Sequence, residues 1–101
     1  MNTPISAQTL LAFARSRAGE TFHTLTRKVP FSVTASEGVL VFTPHTTNKS
    51  RRQTNDGIDA VCREFNASGS LRPGNYADIS FDASYILALI HAAESSGNRK
   101  R

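Results

Sequence analysis

The segment around residues 31–43 constrains the fold most, because its apolar residues are spaced as in two β-strands joined by a short turn. Residues 31–36 alternate apolar and small polar side chains, which is typical of a strand with one buried face. Residues 36–38 (Ser-Glu-Gly) form a turn signal, and a run of β-branched and aromatic residues follows over 39–43 until Pro44. Since so short a loop joins antiparallel neighbours, the two segments predict a hairpin. A third strand is predicted over 21–26, so that the strands form a meander.

Segments whose residues predict helices lie before and after this meander in the sequence. Ser6 is a suitable N-cap for a first helix that ends at Gly19. After the hairpin, apolar residues recur at helical spacing between Thr54 and Phe65. A capping box of Ser50 with Gln53 predicts that this second helix begins near Ser50, and a start near Thr54 is the alternative. Gly69 closes the helix.

The C-terminal third predicts one more helix after an extended connection. Residues 72–75 (Arg-Pro-Gly-Asn) match a type II turn. Residues 76–81 are expected to be extended and, in one interpretation, to form a fourth strand. A third helix then follows over the apolar run 85–90, capped by Asp82 or Ser84.

These elements predict an α+β fold. It consists of a small three-stranded antiparallel meander (four-stranded in the alternative) with three helices, in the order α-β-β-β-α-(β)-α. Residues 1–94 form the single domain and residues 95–101 a flexible basic tail. The helices cover one face of the sheet, and the other face is either solvated or used for binding.

Several functional classes are poorly supported by the 101-residue composition. A single cysteine, Cys62, excludes an internal disulfide and a multi-cysteine zinc site, and it favours a reducing cytoplasm. No secretory signal or membrane-spanning run is visible, so we expect no membrane association. The three histidines are scattered, so we expect no metal, no cofactor and no catalysis; a Cys62–His45 nucleophile pair is the weak enzymatic alternative.

Charge is unevenly distributed along the chain, whose formal net charge is +4. Residues 1–54 carry seven Lys and Arg against two Glu, whereas residues 55–98 carry two Arg against six acidic residues. The last three residues are all basic. Without that tail the net charge is only +1, but a positive first half can still attract phosphates.

The sharpest cluster of candidate residues lies over 46–52, where hydroxyls and cations precede and open the predicted second helix. A helix N-terminus presents unpaired amide donors to an anion, whereas Lys and Arg there oppose the helix dipole, which suggests a use beyond stability. The predicted phosphate contacts are Arg27, Lys28, Thr47, Lys49, Ser50, Arg51 and Arg52. Secondary basic contacts are Arg15, Arg17, Arg99, Lys100 and Arg101.

The sequence therefore predicts a small non-catalytic nucleic-acid-binding protein with weak sequence discrimination, since Ser32, Thr34 and Ser36 on the exposed strand face are short. Tyr76 and Tyr85 are the best candidates for stacking on bases, and the alternative for each is a buried ring with a bonded hydroxyl. A second hypothesis is a protein-interaction or oligomerisation module that uses the strand edge at 21–26 or the open sheet face.

Overall fold

A four-stranded antiparallel sheet forms one layer of the protein and three helices form the other, so the predicted α+β fold is confirmed. The computed structural model describes residues 4–79 and 82–98. The strands lie in the order β1-β2-β3-β4 and comprise Thr21–His23, Pro30–Ser36, Val39–Pro44 and Arg51–Thr54. The helices are α1 (Ala7–Ser16), α2 (Asn55–Ser68) and α3 (Ala83–Asn98), with a short 3₁₀ helix at Pro73–Tyr76.

The predicted hairpin is the centre of the sheet. Val33 pairs with Phe42 and Ala35 with Leu40, which places the apolar residues of both strands on the same face. Glu37 and Gly38 form the connection with φ angles of 50° and 79°. Two-residue loops with positive φ match the right-handed twist of paired strands, which explains the tight turn.

The fourth strand lies at Arg51–Thr54, and the described residues of the segment 76–81, where the sequence suggested it, do not form a strand. Helix α2 begins at Asn55 with Thr54 as its extended N-cap, so the start predicted near Ser50 is wrong and the alternative near Thr54 is right. The backbone of residues 51–54 pairs with β3 instead of entering the helix. Residues 76–79 form the end of the 3₁₀ helix and a turn, and residues 80 and 81 lie outside the described part.

Two further local predictions are corrected. Gly74 does not have the positive φ that a type II turn requires, and residues 73–76 are 3₁₀-helical. Strand β1 ends at His23 because Thr24 begins a closed turn: its carbonyl accepts from Lys28 N (3.1 Å) and its hydroxyl accepts from Val29 N (2.9 Å).

The ends of the helices largely follow the predicted signals. The Ser6 hydroxyl accepts from Thr9 N, as an N-cap does, although α1 ends at Ser16, before Gly19. Gly69 closes α2 in the left-handed conformation (φ 71°). Helix α3 continues through Asn98, past the predicted domain end at residue 94, and residues 99–101 lie outside the described part. Among the described residues, no helix has the length and apolar character needed to cross a bilayer.

The core lies between the sheet and the helical layer. Its largest fully buried side chains come from every helix and from the central hairpin: Leu10, Phe31, Val33, Leu40, Phe42, Ile58, Val61, Tyr76, Ile86, Leu87, Leu89 and Ile90. Tyr85 of α3 packs on the sheet, with ring centroids 5.0 Å from Phe31 and 5.7 Å from Phe42. Such aromatic contacts anchor α3 to the hairpin and add about 0.5–1.5 kcal/mol each beyond the area they bury.

The two tyrosines differ in their hydroxyl groups, which makes a matched pair for a stability test. Tyr76 is fully buried and donates to the Ser70 carbonyl at 2.6 Å, whereas the Tyr85 hydroxyl has no hydrogen bond among the described residues. We expect Tyr76→Phe to lower the free energy of unfolding by about 1–2 kcal/mol, because the Ser70 carbonyl loses its donor. Tyr85→Phe should change it by less than about 0.5 kcal/mol. Urea denaturation of both variants measures this, and equal effects would contradict the assignment.

Candidate functional site

The sheet topology brings two basic loops to the same end of the sheet. The β1–β2 loop (24–29) and the β3–β4 loop (45–50) both lie at this end, because Phe31 near the start of β2 pairs with Pro44 at the end of β3. His45 N also donates to the Pro30 carbonyl at 2.9 Å. Since adjacent strands are about 4.8 Å apart, the two loops are separated by about 10 Å. We call this the basic end; it carries Arg27, Lys28 and Lys49, all exposed.

Arg52 extends this positive charge onto the open face of the sheet, which is the face opposite the helices. It pairs with Val41, whose side chain also lies on that face. The other strand residues there are Thr21, His23, Pro30, Ser32, Thr34, Ser36, Val39, Thr43 and Thr54. None of these residues is acidic, and most carry a hydroxyl. The strand residues of the open face therefore form a mainly polar surface without negative charge that would repel an anion.

Arg51 lies on the opposite side of β4, facing the helical layer. It pairs with Phe42, and its Nη1 is 3.3 Å from Oδ1 of Asp82, at the start of α3. Gln53, two residues further along β4, donates to the other oxygen of Asp82 at 2.5 Å. Asp82 is only 6% exposed, so Arg51 compensates a buried carboxylate. The structure thus separates Arg51 from Arg52, although the sequence grouped them.

The expected phosphate site at a helix N-terminus is wrong in its geometry. Lys49, Arg51 and Arg52 all precede α2, and its first turn instead carries an acidic residue, Asp56. Because β4 occupies residues 51–54, the cations belong to a loop and an edge strand. This also removes the apparent conflict of basic residues with the helix dipole.

The β3–β4 loop is held by its own side chains. The Thr47 hydroxyl accepts from Lys49 N at 3.2 Å, and the hydroxyls of Ser50 and Thr43 are 3.0 Å apart. These bonds fix the backbone between the sheet and Lys49 while Thr47, Lys49 and Ser50 remain exposed. The predicted residues of this loop therefore remain accessible to a ligand.

The two secondary basic residues that the structure describes, Arg15 and Arg17, do not join this surface. Arg17 packs over the Phe13 ring, 5.0 Å from its centroid, and lies 3.6 Å from Glu20. Arg15 is exposed in the last turn of α1, within the helical layer. Residues 99–101 lie outside the described part, so their contribution stays a prediction.

A cavity of about 420 Å³ opens beside the basic end, and sequence analysis missed it. Its walls come from the β1–β2 loop, the 3₁₀ helix and the first turn of α3, and they comprise Thr24, Thr26, Arg27, Val29, Pro73, Gly74, Ser84 and Tyr85. No local pattern could have revealed a site that three distant segments build together. Of the predicted phosphate contacts, only Arg27 lines the cavity, and it is joined there by Tyr85, one of the two tyrosines predicted as stacking candidates.

The described residues contain no cluster of three or more potential metal ligands. Cys62 is buried on α2, and burial, with a smaller effect of the Asp59 carboxylate, raises the pKa of its thiol to about 12. Because the nucleophile is the thiolate, this cysteine is inert at neutral pH. The Cys62–His45 pair therefore has no activated thiol.

The role of Asp82 as the buried partner of β4 predicts unequal effects on stability. Asp82→Ala should lower the free energy of unfolding by about 1–3 kcal/mol, since Gln53 and Arg51 both lose their acceptor. Arg51→Ala should cost at most about 1 kcal/mol, because its side chain is 53% exposed and solvent screens the pair. Chemical denaturation measures both, and an Arg51→Ala effect as large as that of Asp82→Ala would contradict the arrangement.

The raised pKa of Cys62 predicts a protected thiol. In native protein at about pH 8, its reaction with a thiol reagent should be slower than in urea-unfolded protein by at least about a hundredfold, because less than 1% of the buried thiol is ionised. Absorbance of the released chromophore gives both rates. Comparable rates in the folded and unfolded states would show that the thiol is accessible.

Comparison of the chain with protein family models, with curated proteins and with solved structures found no match. The function therefore has to follow from the geometry and the charge of the chain itself.

Proposed function

We propose that this protein is a non-catalytic nucleic-acid-binding module. Its phosphate contacts are Arg27, Lys28 and Lys49 at the basic end and Arg52 on the open face, with hydroxyls of Thr47 and Ser50 as supporting donors. The observation that carries the proposal is that the strand register gathers cations from two loops and an edge strand beside an open face without carboxylates.

The spacing of the two loops suits a phosphate backbone. Phosphates recur about every 3.4 Å along the axis of one duplex strand, so two loops about 10 Å apart can each reach a different phosphate of the same strand. Lys and Arg neutralise such phosphates and release condensed counterions, which favours binding without any base contact. Exposed hydroxyls commonly add hydrogen bonds to phosphate oxygens.

The chemistry of the open face favours backbone contacts over base recognition. Its strand residues include no Phe, Tyr or Trp on which a base could stack, and its hydroxyl side chains are short. Arg52 and His23 are its only hydrogen-bond donors longer than a hydroxyl side chain among the described strand residues. Weak sequence discrimination is therefore the expected behaviour, as the sequence also suggested.

The distribution of acidic residues orients the molecule on its ligand. Asp56, Asp59, Glu64 and Glu94 belong to α2 and α3, in the layer opposite the open face. A polyanion is repelled from that layer and attracted to the basic end, which steers it to one side of a protein of modest net charge.

Docking of a partner protein or of a second copy, at the edge strand β1 or on the open face, is the less favoured alternative. The two edge strands are only three and four residues long, and β4 carries two adjacent arginines. Short, charged edges are a common means by which sheets avoid pairing with another chain. The structure thus offers more to a polyanion than to an added strand.

Charge reversal at the proposed surface tests the function against a control of equal charge change. Wild-type binding to a labelled single strand or duplex should weaken about a hundredfold between about 50 and 200 mM salt, as four phosphate contacts predict. The double variant Lys49→Glu/Arg52→Glu should lose detectable binding. Arg15→Glu/Arg63→Glu, which changes two exposed arginines of the helical layer, should retain most of it. Fluorescence anisotropy measures all three proteins.

Two outcomes would overturn the proposal. One is an affinity that does not respond to salt, because phosphate contacts require counterion release. The other is an equal loss in both double variants, which would mean that only net charge matters. Circular dichroism of each variant verifies that the fold is retained.

A further inference from the structure

The cavity beside the basic end combines an apolar interior with a cation at its mouth. Val29, Pro73 and Tyr85 line it as half-buried apolar or aromatic side chains, and Arg27 is exposed at its edge. None of its lining residues is acidic. Among the described residues, no carboxylate lies within ion-pair distance of Arg27, so its charge is available to a ligand.

We propose that this cavity binds a single nucleotide unit, with the base against Tyr85 and the phosphate at Arg27. The inference rests on the proposed function and specifies its ligand, since it assigns one unit of the nucleic acid to a defined pocket. A free nucleotide and the end of a single strand share this chemistry.

The volume of the cavity and its Tyr85 wall suit such a unit. Its volume of about 420 Å³ lies within the range of about 300–1,000 Å³ that is usual for small-molecule sites. The Tyr85 ring is held from the core side by Phe31 and Phe42, so it forms a fixed wall for a flat ring. A base stacked on an aromatic side chain gains affinity whatever its sequence.

The cavity also offers hydrogen-bonding groups that the protein leaves unused. Among the described residues, the hydroxyls of Thr26, Ser84 and Tyr85 make no hydrogen bond, whereas that of Thr24 already accepts from Val29 N. Hydroxyls both donate and accept, so they suit the mixed edges of a base or sugar. A purely apolar ligand would leave these groups and Arg27 without partners.

The position of the cavity links it to the proposed backbone contacts. Arg27 lines the cavity, while the adjacent Lys28 does not, and Lys49 lies on the neighbouring loop of the same end. A strand whose terminal nucleotide occupies the cavity can therefore place its next phosphates at Lys28 and Lys49. This order of contacts gives the pocket and the basic surface separate roles.

Nuclear magnetic resonance of the amide groups tests the pocket directly, with adenosine 5′-monophosphate as the probe. We expect saturable shifts at the amides of Thr24, Thr26, Gly74, Ser84 and Tyr85. Adenosine alone and inorganic phosphate alone should each bind at least about tenfold more weakly, because each lacks one half of the recognised unit. If a 5′-phosphorylated single strand shifts the same amides with a lower Kd than the nucleotide, the ligand of the pocket is a strand end. If the two Kd values are equal, the ligand is the free nucleotide.

Variants separate the pocket from its surroundings. Arg27→Ala should weaken nucleotide binding by about tenfold or more, through loss of a charge-assisted hydrogen bond. Arg15→Ala is the matched control and should leave binding within about twofold of wild type, since this exposed arginine lies on α1 in the helical layer. Gly74→Trp should block the cavity while the fold is retained, because a Cβ at Gly74 meets no atom within 4 Å and its φ is not in the left-handed region.

Absence of nucleotide-dependent shifts at millimolar concentration would overturn the inference, as would full binding by Gly74→Trp or phosphate binding as tight as that of the nucleotide. If the nucleotide fails while long strands still bind and Lys49→Glu/Arg52→Glu abolishes that binding, only the pocket is refuted. If the nucleotide binds but long strands do not, the proposed function fails and the pocket remains.

Discussion

The register between β2 and β3 is the constraint on which the rest of the structure depends. Pairing Val33 with Phe42 and Ala35 with Leu40 sets the face that the helices bury. A shift by one residue would expose that face, because side chains alternate strictly along a strand. The same register places the β1–β2 and β3–β4 loops at one end of the sheet. Core packing and the position of the candidate site therefore have one origin.

Successive side chains of strand β4 point to opposite faces of the sheet, so its two adjacent arginines have different surroundings. Arg51 faces the helical layer and meets the buried Asp82, while Arg52 faces solvent beside Val41. Gly57 supports this junction, since a Cβ there would come within 2.9 Å of the Gln53 amide oxygen, whose side chain also bonds Asp82. Gly57 thus lowers the helix propensity of α2, but it leaves room for the Gln53 side chain, whose hydrogen bond to Asp82 links β4 to the start of α3.

The local signals of the sequence were sufficient for the elements that they encode. Alternation and turn residues predicted the hairpin, Ser6 and Gly69 marked helix ends, and the apolar run 85–90 identified the central helix. Strand β4 was missed because its four residues, Arg-Arg-Gln-Thr, have no apolar alternation and are stabilised by backbone pairing to β3 and by Asp82, 29 residues from Gln53. Such long-range contacts also bring Lys28 and Lys49 to one end of the sheet and form the cavity. The spacing of residues within one segment of the sequence cannot predict them.

Placing the site at the loop end of a rigid sheet has a physical advantage for binding a polyanion. Lys28 and Lys49 lie in loops whose backbone amides donate hydrogen bonds to Thr24 and Thr47, so the backbone positions that carry the two ammonium groups are fixed. Ordering them on a phosphate then costs mainly side-chain entropy, because the backbone is already ordered. The proposed pocket would add a tyrosine ring that Phe31 and Phe42 hold in place. In the proposed binding mode, the cations of the basic end would attract a strand to that side of the protein, and the cavity would hold its terminal nucleotide.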